Sequence, residues 1–207
     1  SLGYAERFWR LITATVIACF LGAGICAGFA FLLTRRAGSH LRMLVSLFSG
    51  ALGAARGIAH TDLLLLFAYG SDTGVTEPIF GRDTGFYLFT LPFLDAVFWL
   101  LLPIAIVSVV SVLVVWEKGD TLRLRHFNEQ EGDPGVVPYA NAGLAWLLAT
   151  GMIISIFHLF YSDMGVVRGP GWIDVNVIYP ALIFMTVAFL LAGLLPLFAP
   201  FRAMMTR

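Results

Sequence analysis

Charge is what this sequence has least of. Asp, Glu, Lys and Arg make up only 13% of its 207 residues, about half the share carried by soluble domains. Acidic and basic side chains are equal in number, thirteen of each, so no net field points to nucleic acid. Lysine occurs once, at Lys118, and the preference for Arg carries no functional weight. Only Cys19 and Cys26 supply thiols, both within the first apolar run. Seven residues apart on a helix, they lie about 10 Å apart along its axis, too far for a disulfide. With no His or carboxylate beside them they make no metal site, and they read as small packing residues. Catalytic signatures are missing as well: there is no P-loop, dinucleotide fingerprint, nucleophile elbow or H-E-x-x-H. Ser162 and Asp163 follow His158 closely, but a loop Ser beside an Asp is a cap far more often than part of a triad. Neither an enzyme nor a bound cofactor is expected.

What is abundant is hydrocarbon: 59% of residues are hydrophobic and the mean hydropathy is +0.86. Such a composition suits a chain whose solvent is largely lipid. The expected fold is an all-α integral membrane helix bundle forming one transmembrane domain over residues 1–207, with spans at about 11–33, 41–59, 94–116, 143–160 and 177–200. Arg7 and Arg10 precede the first, uncharged run, which is too long for a secretory signal and reads as a true span. Ser1 is not an initiator Met, so the chain reads as processed or as numbered from inside a longer gene product. The second span is the shortest, Met43–Ala55 before Arg56, with Leu63–Ala68 expected as a short interfacial or buried helix beyond it. Residues 70–85 are dense in Gly, Ser, Asp, Thr and Pro and read as a loop. Asp83 is the expected N-cap of a short helix over Phe86–Phe93, whose aromatics suggest a belt at headgroup depth. Pro92 is expected to turn that helix into the third span.

Small residues mark the expected helix contacts. Gly24 and Gly28 form a G-x-x-x-G pair, with Gly22, Ala23, Cys26 and Ala27 beside them, and Gly50, Gly53 and Gly57 recur in the second span. Such positions let helix backbones approach closely. Orientation follows from Lys and Arg. With five crossings, Arg7, Arg10, Arg56, Arg82 and Arg168 share one side. Arg35, Arg36, Arg42, Lys118, Arg123, Arg125, Arg202 and Arg207 share the other. The richer side is expected to be cytoplasmic, placing the N-terminus outside and the C-terminus inside a cell (inner or plasma) membrane. Without the second crossing the asymmetry vanishes.

The stretch Glu77-Pro78-Ile79-Phe80-Gly81-Arg82-Asp83-Thr84-Gly85-Phe86-Tyr87-Leu88-Phe89-Thr90-Leu91-Pro92-Phe93 resembles the hallmark D-P-x-F-G-x-D-I-S-F-Y-L-F-x-L-P-F. That hallmark belongs to the large uncharacterised multi-pass membrane proteins of actinobacteria, cyanobacteria and some archaea. Ser1–Tyr4 with Phe8-Trp9 is similar to the family's entry into its second span. Tyr161–Val167, Asp174–Asn176 and Pro180–Leu182 are similar to a later extracytoplasmic loop. Glu77 departs from the usual Asp, and Thr84-Gly85 from an apolar-small pair. The resemblance implies a much longer protein, with a span before this region and a further span and a large extracytoplasmic domain after it. It also implies that the Phe80–Phe93 loop lies outside, in agreement with the charge count. It brings no activity.

On that topology Arg56, His60, Asp62, Asp83, Asp95, His158, Asp163, Arg168 and Asp174 gather towards the outer side. Most such groups make caps and local ion pairs. Arg56 is expected to find a counter-ion on another element, with Asp95 or Asp163 as candidates; the competing reading ends the helix near Arg56 and lets it snorkel. His60 and His158 could approach one level and ligate a pigment or haem, although nothing in their spacing requires it. Three functional classes follow. The preferred one is a structural or interaction subunit bound to other membrane protein subunits; the alternative is a component of a transporter or channel, and a membrane enzyme comes third.

Overall fold

The computed structural model describes residues 4–35, 37, 39–76, 80–122, 136–161 and 170–198. Among the described residues six α-helices follow one another: α1 (Tyr4–Leu33), α2 (Ser39–Ala59), α3 (Thr61–Tyr69), α4 (Leu91–Leu122), α5 (Val136–Tyr161) and α6 (Tyr179–Leu194). Five helical segments among the described residues are long and apolar enough to cross a bilayer: Phe8–Leu33, Ser39–Ala59, Phe86–Val114, Val137–Leu159 and Asp174–Leu194. The molecule is thus an all-helical membrane bundle, with α3 as a short apolar helix that leaves the end of α2.

The most extensive contact joins α1 to α2, and its chemistry explains its closeness. Ala14, Ala18, Cys26 and Ala30 are all buried, and Thr34 continues the row with no exposed surface. With Gly22 they recur at every fourth position, a stripe that drifts about 40° around the helix at each step and so winds slowly along α1. Opposite lie Ser49, Gly50 and Gly53 of α2. A β-carbon at Gly53 would collide with the Gly22 carbonyl oxygen and stand 2.7 Å from Cys26 Sγ, and one at Gly57 would collide with the Ala18 carbonyl oxygen. The two backbones therefore touch, as small-residue faces in lipid allow.

Elsewhere glycines accept large side chains. A β-carbon would strike Leu33 at Gly143, the Phe98 ring at Gly151 and the Trp146 ring at Gly193. Each is a notch on one helix filled by a neighbouring helix. Core clusters form around Ile104, Val45 and Cys26, and around Leu33, Ala105 and Leu147.

Two π-turns shape one end of the bundle. Phe86–Thr90 runs without a break into α4, and Asp174–Ile178 into α6. Each is followed by one residue and then a proline, Pro92 or Pro180. The amide of the intervening residue bonds five back, Leu91 to Phe86 and Tyr179 to Asp174. Proline has no N–H, and its ring crowds the carbonyl four residues earlier; the wider π-turn relieves both problems. This corrects the expected break at Pro92: the helix runs on from Phe86 through Pro92, and the helical segment long and apolar enough to cross is Phe86–Val114. It also corrects the aromatic belt. Tyr87 is 4% exposed and packs with Leu91 and Ile154, with Phe86 and Phe157 against them. Of that stretch, Leu88 is the residue that faces outward.

Candidate functional site

The loop before the third span is organised by one carboxylate. Asp83 Oδ1 accepts hydrogen bonds from the amides of Gly85 (2.6 Å) and Thr73 (2.9 Å) and from the Thr73 hydroxyl (3.0 Å). Its Oδ2 accepts from the Gly74 amide at 2.9 Å. Thr84 completes the clasp, its amide and hydroxyl both donating to the Val75 carbonyl at 2.9 and 2.8 Å. Asp83 is thus an N-cap, since it takes the Gly85 amide at the helix start, and it also ties that start to residues ten positions upstream. Gly74 and Gly81 have positive φ, 73° and 64°, a conformation glycine adopts freely. The backbone donors, led by Thr73 and then Gly85, hold the Asp83 carboxyl below the ordinary aspartate range; they stabilise the charged form. Beside the clasp, the Arg82 guanidinium lies 5.6 Å from the centre of the Phe86 ring.

Below the loop, α4, α5 and the π-turn of α6 enclose an open cleft of about 580 Å³. Its walls include Phe98, Trp99, Ile154, Ile178 and Leu182, and its polar groups are Asp95, Ser155, His158 and Asp174. His158 Nε2 stands 3.7 Å from Asp95 Oδ1, with both side chains partly exposed. That separation suits an ion pair with a protonated imidazole and is too long for a hydrogen bond. Asp174 Oδ2 accepts from the Gly171 amide at 2.7 Å, and Ser155 donates to the Gly151 carbonyl at 2.8 Å. A smaller cavity of about 330 Å³ between α1 and α5 is walled by Phe29, Leu33, Trp146 and Leu147 and holds no charged residue.

The residues singled out in the sequence are placed unequally. Gly50 and Gly53 lie in the α1–α2 contact, where a β-carbon at Gly50 would stand 3.3 Å from Ala27 Cβ. Gly24 and Gly28 do not join it: each is exposed, with nothing within 4 Å of a β-carbon. The reason is angular. Gly22 supplies the contact, and Gly24 is turned about 200° from it and Gly28 about 240°. Arg56 is exposed in the last turn of α2. Among the described residues, Asp95 pairs with His158 on α5 and not with Arg56; Asp163 lies outside them. His60 is exposed at the junction of α2 and α3. No group of three or more His, Cys, Asp or Glu residues that could hold a metal ion occurs among the described residues. The sequence places Asp95, His158 and Asp174 towards one side but does not join them in a cleft, because they come from three separate helical segments. Their shared signal is that each acid or imidazole stands at or near the end of an apolar run.

The profile of the Uncharacterised protein family (UPF0182) matches residues 30–206. A UPF0182 protein of Synechococcus sp. is 33% identical over 155 residues, covering 69% of this chain and 18% of that protein. One of Salinibacter ruber is 32% identical over 138 residues, covering 65% of this chain and 14% of the relative. A Methanospirillum hungatei member is 22% identical over 229 residues, covering 94% of this chain and 25% of its own length. The chain therefore spans a quarter or less of these curated relatives. No solved structure matches it. With most of its length under the family profile and its Asp83 loop and helix-start motif in place, the chain belongs to the uncharacterised family UPF0182.

Proposed function

We propose that this chain is a non-enzymatic assembly module, a helix bundle that docks against further transmembrane segments in a cell membrane. In this reading its N-terminal end and its Asp83 loop lie outside and its C-terminus in the cytoplasm, as the Lys and Arg distribution favours. One observation carries the proposal. The glycines of the other described membrane helices meet a neighbouring side chain or backbone, as Gly53 meets Gly22 and Gly193 meets Trp146. Only Gly24 and Gly28 among them are open notches with nothing within 4 Å. They lie on one outward face of α1, at the spacing that admits another helix backbone. The docking helix would come from another subunit or from another part of a longer protein.

Gly28→Leu tests this. In the isolated chain the new side chain enters open space, so the helix should be kept and stability should be no lower than that of the wild type. In the membrane assembly the same change should displace whatever packs there, and mild-detergent purification followed by mass spectrometry should show lost partners. Unchanged assembly with both Gly24→Leu and Gly28→Leu would leave this face to lipid and sink the proposal.

A second reading, a component of a transporter or channel, is favoured by the charged cleft between α4, α5 and α6. It calls for ionisable groups lining a wet path through the bundle. It would be supported by ion or solute flux through reconstituted protein that Asp95→Asn reduces.

A further inference from the structure

We propose that the cleft bounded by α4, α5 and the π-turn of α6 binds a bilayer lipid with a primary-ammonium headgroup, of the phosphatidylethanolamine class. Its charge selects the head. Among the described residues the lining includes two carboxylates, Asp95 and Asp174, one imidazole, His158, and no Lys or Arg. Whether or not His158 carries a proton, the formal charge of these groups is negative, so an anionic headgroup finds no complement among them.

Depth is the second consideration. Asp174 is the first residue of its apolar span, and His158 lies one residue from the end of its own, Val137–Leu159. His158 and Asp174 therefore stand at the boundary where two spans enter the apolar region, the level of lipid headgroups, and Asp95, the tenth residue of Phe86–Val114, reaches that level beside His158. Below them the walls are apolar, with Phe98, Trp99 and Leu182 available to methylenes. A free hydrophilic cation would waste that surface, whereas a head joined to an alkyl chain uses both parts. The volume, about 580 Å³, lies within the usual range of ligand sites.

Hydrogen bonding separates a primary from a quaternary ammonium. Asp95 and Asp174 are acceptors, and Ser155 Oγ, which already donates to Gly151, keeps its lone pairs for a donor from the ligand. A primary ammonium offers three N–H groups to such a set; a trimethylammonium offers none. Charge-assisted hydrogen bonds of this kind are the strong ones.

The test uses the whole chain reconstituted in vesicles of equal parts phosphatidylethanolamine, phosphatidylcholine and phosphatidylglycerol, with native mass spectrometry of the lipids it retains. Phosphatidylethanolamine should be enriched roughly tenfold over phosphatidylcholine, the scale of one charge-assisted hydrogen bond. Enrichment should fall stepwise through the N-methyl and N,N-dimethyl headgroups, a series that needs only the wild-type protein. Asp95→Asn and Asp174→Asn should each reduce it, with helicity unchanged. Equal retention of ethanolamine and choline lipids, or a preference for phosphatidylglycerol, would overturn the proposal. So would enrichment that survives in the folded double variant, which would mean general surface adsorption.

Discussion

Replacing Gly53 with Ala is a one-carbon change at the place where two helix backbones touch. The added carbon would collide with the Gly22 carbonyl oxygen and come within 2.7 Å of Cys26 Sγ. Because the first of these is backbone, no rotamer change can relieve it, and α1 and α2 must move apart. Overpacking of this kind costs about 1–3 kcal/mol. Against it stands the better helix propensity of Ala, about 1 kcal/mol. Gly24→Ala on α1 receives the same propensity gain in open space, where nothing lies within 4 Å. The difference between the two variants therefore isolates the collision and should be about 1–3 kcal/mol, with Gly53→Ala the less stable. Loss of helicity against increasing denaturing detergent in mixed micelles measures it. Adding Cys26→Ala should restore part of the loss but not all, because the carbonyl contact remains. Equal stability of Gly53→Ala and Gly24→Ala would refute the close α1–α2 contact and the small-residue stripe inferred from it.

Three other expectations concern the loop end and the topology. Arg56→Leu should change stability by no more than about 0.5 kcal/mol, as at a surface site away from special contacts; a loss of several kcal/mol would reveal a bridge to another element. Asp83 has its folded-state carboxyl lowered by the Thr73, Gly85 and Gly74 donors. Its contribution is therefore fully present above the unfolded value, about 3.9, and is lost as pH falls through the lower folded value. Protection of the Thr73, Gly74 and Gly85 amides, as exchange relative to the intrinsic rate at each pH, should hold at neutral pH and begin to fall below about pH 4; Asp83→Asn should lower it at neutral pH and add little at the acid end. Cysteines placed at Asp72 and at Asp120 should be labelled from opposite faces of the membrane, and labelling of both from one face would remove the odd number of crossings between them.

The long helices were legible because hydrophobicity and helix length are properties of single segments. Lys and Arg placement further favoured counting the short, Gly-rich second segment as a crossing, and it forms the helix Ser39–Ala59. Which glycines pack was less legible. G-x-x-x-G drew attention to Gly24 and Gly28, yet the packed face is the longer row at every fourth position, Ala14, Ala18, Gly22, Cys26, Ala30 and Thr34. That row was open to inspection. Its mark is continuity, since a face against another backbone needs small residues over several turns, and two glycines supply only one.

Helix faces near the prolines were illegible for a different reason. Reading a face from sequence assumes a constant 100° per residue, and a π-turn inserts one extra residue into that count. Across Phe86–Thr90 and Asp174–Ile178 the face assigned from downstream periodicity is therefore displaced by about one residue. Phe86 and Tyr87, which read as a lipid-facing belt, turn inward to meet Phe157, with ring centroids 5.2 and 6.4 Å from it. The same displacement acts on the opening of the cleft. Asp174, which reads as a loop residue, becomes the first residue of the π-turn, and its carboxylate accepts from the Gly171 amide. Each π-turn precedes an X-Pro pair, so Pro92, expected to turn one helix into the next, sits instead within a continuous helix. The chemistry of this end of the molecule thus depends on a backbone feature that no side-chain pattern records, and Pro92 and Pro180 are its only marks in the sequence.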